Sequence, residues 1–260
     1  MVENSIKVSW LLPTNNIDRG LEDSISSIFG CHKHTDCTFE ILIVINGKAI
    51  DTYKKNNPTW LQRKELRIIV SNLNGITPAL NKGLCEANGE YIARLDCDDI
   101  CHPNRLVRQL DILDAHEEIC AVFTNKTNKK ALLNTNLDSK KFYVVNDRHV
   151  LAKNILIHPS VTYKRDIVRF CGGYAGGKHA EDIDLWLRLL SENHTLVVLD
   201  EQLIYYEPHS RGSARNNIEG YIGHATSLLA FGLRQKNIKA ITFSIARAIL
   251  ILIRPSKKKK

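Results

Sequence analysis

The sequence predicts an α/β protein built on a mainly parallel sheet flanked by helices, and three observations carry that prediction. Short apolar runs alternate with helix-length segments through the first half of the chain, the pattern of strands joined by crossover helices. The polar and acidic motifs fall just after those runs, at the carboxyl ends of strands, where an open α/β sheet binds ligands. With 260 residues and 43% hydrophobic content, the chain is also long enough to bury one enzyme-sized core.

In order, strands are expected at Lys7 to Leu12, Glu40 to Ile45, Arg67 to Val70 and Tyr91 to Leu95. Helices are expected between them at Leu21 to Phe29, Asp51 to Lys64 and Pro78 to Ala87; the last opens on a proline that suits a first helical turn. Further on, Glu181 to Leu190 reads as an amphipathic helix after a Gly172-Gly173-Tyr174-Ala175-Gly176-Gly177 loop, and another helix is expected to begin near Ala214. Trp186 falls in the apolar pattern of its helix and is expected in the core.

The net charge of +8 is a property of one end of the chain. Arg234, Lys236, Lys239, Arg247, Arg254 and Lys257 to Lys260 follow the last acidic residue, Glu219; without them 27 basic residues stand against 28 acidic ones. A body so near neutrality argues against a nucleic-acid surface. Seven cysteines, an odd number without a Cys-x-x-Cys pair, fit a reducing, cytoplasmic compartment, and no export signal is read before the first strand. Cys31, His32, His34 and Cys37 have metal-ligand types but no second half at zinc-finger distance, so they read as a loop.

Neither a Gly-x-Gly-x-x-Gly nor a Walker sequence follows the first strand, where Pro13-Thr14-Asn15-Asn16 stands instead. Phosphates therefore need another partner. At the end of the fourth strand, Arg94-Leu95-Asp96-Cys97-Asp98-Asp99 places three carboxylates on a turn. Spacing alone leaves two readings open: a hard-cation site, or an acidic cap on a helix starting near His102-Pro103, with Asp99 as the capping residue. Asp182, at the start of its own helix, is open to the same choice between chemistry and capping.

The string from Asn74-Gly75 through Ala79, Asn81, Gly83, Ala87 and Gly89-Glu90-Tyr91-Ile92-Ala93-Arg94-Leu95-Asp96-Cys97-Asp98-Asp99 resembles the family 2 glycosyltransferases. Pro13-Thr14, Glu40 through Gly47, and Glu181-Asp182-Ile183-Asp184-Leu185-Trp186-Leu187-Arg188 extend the likeness over about residues 5 to 215. The resemblance implies the GT-A fold and an inverting, metal-dependent transfer of a hexose from a UDP-sugar, with UDP-Glc, UDP-Gal and UDP-GlcNAc as the candidate donors. Mn²⁺ or Mg²⁺ would be the cofactor, and a saccharide on a polyprenyl diphosphate, as in O-antigen or capsule assembly, the acceptor.

Carried over by position, it implies donor binding by Pro13, Thr14, Asn46, Asn81, Arg94, Asp96, Asp98 and Arg211, and metal ligation by Asp98, Asp96 and His209. Asp182 becomes the general base, beside Glu181. His158-Pro159-Ser160 resembles a family segment near the acceptor side; a buried, hydrogen-bonded histidine is the alternative there. One departure is Ile45-Asn46, where the family usually carries two acidic residues; an asparagine carbonyl still accepts from uracil N3–H.

Residues 1–213 would form the catalytic domain, with a nucleotide-sugar half to about residue 100 and an acceptor half after it. Residues 214–260 would form C-terminal helices with a basic, membrane-proximal tail. The apolar run Ala240 to Ile253 is short of the roughly 20 residues needed to span a bilayer. Flanked by cations, it reads as an interfacial helix on anionic lipid. Competing readings are a sugar nucleotidyltransferase, whose glycine-rich amino-terminal loop is absent, and a non-catalytic membrane-associated nucleotide-sugar-binding module.

Overall fold

The computed structural model of the chain describes residues 5–56, 58–128, 141–151, 155–175, 180–206 and 218–253. Strands β1 (Val8–Thr14), β2 (Phe39–Ile45), β3 (Leu66–Val70) and β4 (Tyr91–Arg94) are parallel and lie in the order β3-β2-β1-β4. Helices α1 (Arg19–Cys31), α2 (Lys48–Asn56) and α3 (Ile76–Glu86) form the crossovers. Buried on both faces, β1, β2 and β4 have no solvent side to mark with polar residues, which is why they read as nearly unbroken apolar runs, whereas the edge strand β3 is only partly buried.

Side-chain alternation along β1 divides the core in two. Trp10 and Leu12 join a cluster with Ile25 and Leu106 on one face, and Leu11 joins Leu80, Phe123 and Trp186 on the other. Trp186 is fully buried, its ring edge-on to Phe123 at 4.8 Å.

The second half adds β5 (Ile100–Cys101), α4 (Arg105–Ala115), β6 (Ile119–Thr127), β7 (Phe142–Val144), α5 (Asp147–Leu151), β8 (Thr162–Lys164), α6 (Arg165–Phe170), α7 (Glu181–Ser191) and β9 (Thr195–Tyr205). It extends the same sheet: β8 lies antiparallel between β4 and β6, and β9 runs parallel to β6 and pairs with β5 and β7. Helices α8 (Ile218–Arg234) and α9 (Ile238–Ile253) follow.

Two expectations need correction. The helix expected over Asp51 to Lys64 stops at Asn56, and a single 3₁₀ turn, Thr59–Leu61, follows Pro58. A proline has no N–H to continue the ladder and disfavours helical dihedrals in the residue before it. The helix expected near Ala214 is described from Ile218, residues 207–217 lying outside the described set.

Buried polar side chains lock the sheet. Glu40 accepts from Ser9 Oγ at 2.7 Å, Arg67 Nη1 at 2.6 Å and the Asn88 backbone N–H at 2.7 Å. Gly89 lies so close to β1 that an added Cβ would stand 2.7 Å from the Val8 carbonyl carbon. On the other face Arg105 of α4, fully buried, donates to the Arg94 carbonyl at 2.7 Å and to Gln109 Oε1 at 3.1 Å. Gln109 in turn donates to the Val122 and Ser160 carbonyls at 2.7 and 2.8 Å, so one helix ties together β4, β6 and the segment before β8.

Candidate active site

β1 is paired on one side with β2 and on the other with β4, so the crevice at its carboxyl end is a topological switch point. Three loops meet there and line a cleft of about 340 Å³: Pro13 to Asn16 after β1, Asn46 after β2, and Asp96 to Asp98 after β4. Gly75 and Ile76 at the start of α3 close one wall.

The acidic turn is held from the side by α1. Ser24 Oγ donates to the Asp99 carbonyl at 2.7 Å, and Gly20 leaves room for the Cys97 carbonyl, 3.1 Å from where a Cβ would be. Asp18 caps α1 by accepting from the N–H groups of Gly20 and Leu21. Asp98 is exposed and Asp96 half-buried at the cleft, while Asp99 is fully buried. Asp99 does not cap the following helix: α4 begins at Arg105, with Asn104 at its N-cap position and no side-chain capping bond. The turn closes on itself instead, the Asp99 N–H donating to the Asp96 carbonyl at 3.2 Å.

At the β2 end of the cleft, Asn46 Nδ2 donates to the Gly75 carbonyl at 2.8 Å. That bond fixes the amide orientation so that its oxygen remains as an acceptor toward the cleft. Thr14 is turned back on its own loop, its hydroxyl donating to the Asn16 carbonyl at 2.6 Å.

Two residues expected to touch donor sit elsewhere. Arg94 is 1% exposed and its Nη1 lies 2.6 Å from Asp96 Oδ1, so it reaches the carboxylate from beneath and not the cleft. Asn81 exchanges a pair of bonds with the Tyr174 backbone, donating from Nδ2 to the carbonyl at 2.7 Å and accepting the N–H at 2.8 Å. It thereby fixes the loop before α7. Arg188 helps from α7 itself, bonding the Cys171 carbonyl and, at 2.6 Å, that of Gly173; both Gly172 and Gly173 have positive φ.

Asp182 is half-exposed in the first turn of α7, next to the buried Glu181. Burial, then the neighbouring Asp182 charge, pushes the Glu181 carboxyl up to about 7. His158 lies below, its Nδ1 3.8 Å from Glu181 Oε1 and its Nε2 3.2 Å from the Tyr174 hydroxyl. The Arg94 charge reaches Asp96, Tyr174 and Glu181 alike, so the two carboxylate groups share one buried cation. His209, Arg211 and the Gly176-Gly177 part of the loop lie outside the described residues.

Among the described residues no three metal-ligating side chains converge. The Cys31–Cys37 segment is packed instead: His32 accepts from Trp10 Nε1 at 2.8 Å and stacks on Phe39 at 3.5 Å. Arg105, Arg188 and Ser24 had no assigned role in the sequence. The capacity of the two arginines to bond several carbonyls at once was the available signal, but which carbonyls is a property of the fold.

A switch-point cleft edged by carboxylates, on a mixed sheet flanked by helices, is the arrangement of the GT-A class. The family model for Glycosyl transferase family 2 matches residues 9–172, and the chain belongs to that family.

Among its relatives, the amylovoran biosynthesis glycosyltransferase AmsE of Erwinia amylovora is 30% identical over 71% of this chain and 69% of its own length. The O-antigen biosynthesis glycosyltransferase WbnJ of Escherichia coli is 27% identical over 89% of this chain and 91% of its own. A UDP-Gal:alpha-D-GlcNAc-diphosphoundecaprenol beta-1,3-galactosyltransferase of Escherichia coli is 26% identical over 66% of this chain and 62% of its own.

The fold is also that of S. aureus TarS 1-349, with a TM-score of 0.62 at 17% identity over 94% of this chain and 72% of that one. It matches glucosyl-3-phosphoglycerate synthase of Mycobacterium tuberculosis, solved with Mn²⁺ and UDP, with a TM-score of 0.61 at 15% identity over 86% and 79%.

Proposed function

We propose that the chain transfers a hexose from a UDP-sugar (UDP-Glc, UDP-Gal or UDP-GlcNAc) to a saccharide carried on a polyprenyl diphosphate, with inversion, in bacterial surface-polysaccharide assembly. The observation that carries this reading is the meeting of three strand ends at the cleft, with Asp96 and Asp98 on one side and the buried Arg94 linking Asp96 electrostatically to Glu181, the neighbour of Asp182. The names of the WbnJ, AmsE and galactosyltransferase relatives support the biosynthetic setting.

The donor set fits a small hard cation. Two carboxylates at an open cleft suit Mn²⁺ or Mg²⁺, which take one or two protein carboxylates and fill the remaining positions with phosphate oxygens. Asp98 and Asp96 would hold it, with His209 as third ligand, and the ion supplies charge neutralisation for the departing diphosphate. The solved synthase with Mn²⁺ and UDP supports the choice of ion class.

In this reading Asn46 accepts from the uracil N3–H, Pro13 and Thr14 flank the base, and Arg211 faces phosphate. Arg94 acts through Asp96 and Asn81 through the Tyr174 loop. Asp182 removes the proton from the acceptor hydroxyl as that oxygen bonds to the anomeric carbon, while the bond from that carbon to the diphosphate oxygen breaks on the opposite face. Attack opposite the leaving group inverts the centre. Residues up to about 100 hold the donor, 101–213 face the acceptor, and 214–260 bring the enzyme to the inner face of the cytoplasmic membrane, where a lipid-linked acceptor resides.

The test is a screen of UDP-sugars with Mn²⁺ against lipid-diphosphate monosaccharides, comparing the intact protein with Asp98→Ala and Asp182→Asn. Turnover should vanish with chelator and fall at least about a hundredfold in either variant, the lower range for loss of a general base. Full activity in both variants would remove the assigned roles, and pyrophosphorolysis of the sugar nucleotide would point to a nucleotidyltransferase.

A further inference from the structure

The hairpin of α8 and α9 has two apolar faces, and among the described residues only one is packed into the core. Leu228 and Phe231 of α8 and Ala240 of α9 pack into the core that holds Trp186. Ser244 Oγ bonds the Ala225 carbonyl at 2.7 Å, and Gly232 lets the helices close, 2.7 Å from the Ile241 Cγ1 to where a Cβ would stand. The inner seam is thus filled.

The outer faces are also apolar. On α8, Ile218, Ile222, Leu229 and Leu233 are exposed at spacings of four, seven and four, a single stripe turned away from Leu228 and Phe231. On α9, Ile238, Ile245 and Ile249 make a second exposed stripe turned away from Ala240 and Ser244.

Length and charge identify the occupant. At about 1.5 Å per residue, helices of 17 and 16 residues fall well short of a hydrocarbon core of roughly 30 Å, so neither spans it. No helix of the described residues is long and apolar enough to cross a membrane. Nine Lys and Arg residues and no acidic residue follow Glu219 in the sequence, and Lys236 and Lys239 are exposed at the turn and first turn between the two stripes. Arg234 is paired with Asp184 at 3.7 Å, so the exposed Lys236 and Lys239 set the charge of this face; a second copy of this chain would bring them against their own equivalents, whereas an anionic bilayer neutralises them.

We infer that the exposed face of the α8–α9 hairpin is a monotopic membrane-binding surface that lies along an anionic lipid bilayer, its isoleucines and leucines below the headgroups and its lysines among them. The inference deepens the peripheral-membrane part of the proposed function by moving the contact from the basic tail to a folded, two-helix face.

The experiment is co-sedimentation of the full-length protein with acceptor-free vesicles of phosphatidylcholine, alone or with phosphatidylglycerol. The protein should pellet with the anionic vesicles. Leu229→Asp/Leu233→Asp and Ile245→Asp/Ile249→Asp should each weaken that binding by roughly tenfold or more, as expected for losing two buried aliphatic side chains. Lys236→Glu/Lys239→Glu should weaken binding to the anionic vesicles only.

Circular dichroism and turnover on a water-soluble acceptor keep the test independent of folding and chemistry. Unchanged values with vesicle binding lost support the inference. Vesicle binding equal to the parent in both aliphatic variants overturns it. So does a parent that ignores vesicles, whether monomeric or a dimer in light scattering that these substitutions dissociate. If no UDP-sugar is turned over but vesicles are bound and the variants release them, the proposed function fails and this face stands.

Discussion

Arg94 stands directly under Asp96, Nη1 to Oδ1 at 2.6 Å, with the arginine 1% exposed and the carboxylate 32%. A cation sealed in the sheet therefore meets an anion that opens on the cleft. In the low-dielectric interior the guanidinium has no water to fall back on, so its stability depends on the carboxylate beside it.

Replacing it exposes that dependence. Arg94→Met leaves Asp96 without its ion-pair partner and should lower the unfolding free energy by about 2–3 kcal/mol, below the full range for a buried pair because Asp96 partly rehydrates. Urea denaturation measures the loss, and calorimetry should find donor affinity reduced as well. A change within about 0.5 kcal/mol, the range of an ordinary surface substitution, would contradict the assignment.

Glu181 gives the fold a pH dependence. Its carboxyl is raised to about 7 by burial and by Asp182, so the folded chain holds that proton more tightly than the unfolded chain does. Its contribution to stability is complete below the ordinary carboxyl range and is lost as pH rises toward 7. The loss is at most about 3 kcal/mol, shared with Asp182. Glu181→Gln should flatten the wild-type slope between about pH 4.5 and 7. His158, Asp182, Arg94 and Asp96 are the charged or titratable neighbours that shape it. An unchanged slope in thermal scans across that window would refute the shift.

Two glycines should respond in opposite directions to alanine. At Gly89 the new methyl meets the Val8 and Ser9 backbone, which cannot rotate away, and Gly89→Ala should destabilise by about 1–3 kcal/mol. At Gly30, near the end of α1, nothing lies within 4 Å, and Gly30→Ala should stabilise by roughly 0.5–1 kcal/mol. Equal effects in chemical denaturation would mean that the packing of the Asn88-Gly89 turn on β1 is wrong.

Asn46 should read the base. With its amide oxygen as the acceptor toward the cleft, Asn46→Ala should weaken UDP binding by about 1 kcal/mol, roughly fivefold. The preference for UDP over CDP should narrow too, since cytosine has no N3–H to donate. Titration calorimetry with both nucleotides checks it; an unchanged ratio would assign base choice to other residues.

The parallel half of the sheet was legible because β1 to β4 carry their burial in plain composition, from Trp10 to Leu12 and from Ile41 to Ile45. Pro58 was equally visible, and its effect on the helix before it follows from covalent structure. The antiparallel strands β5, β7 and β8 were not legible. At two or three residues each, they owe their form to partners distant in sequence, such as Tyr163 opposite Ile92.

At the site, the residue types around Asp96, Asp98 and Asp182 were readable and their depth was not. Nothing in an arginine at position 94 says that it points into the sheet, or in an asparagine at 81 that its amide is occupied by Tyr174. Asp99 failed as a cap for the same reason. The two residues after His102, Pro103 and Asn104, delay the helix to Arg105 and leave Asp99 inside.

The strand that ends in Arg94 has a neighbour on either side, β1 in parallel and β8 in the opposite direction. With no free edge, its amides open only when the whole sheet comes apart, and in hydrogen exchange they belong among the slowest in the molecule. Asp96 and Asp98 at the cleft are therefore suspended from the stiffest part of the framework, whereas Asp182 follows a glycine loop that must be braced from outside by Asn81 and Arg188. The division separates a fixed anvil from an adjustable jaw; under the proposed function, acceptor choice has room to drift through loop changes that leave the nucleotide end untouched.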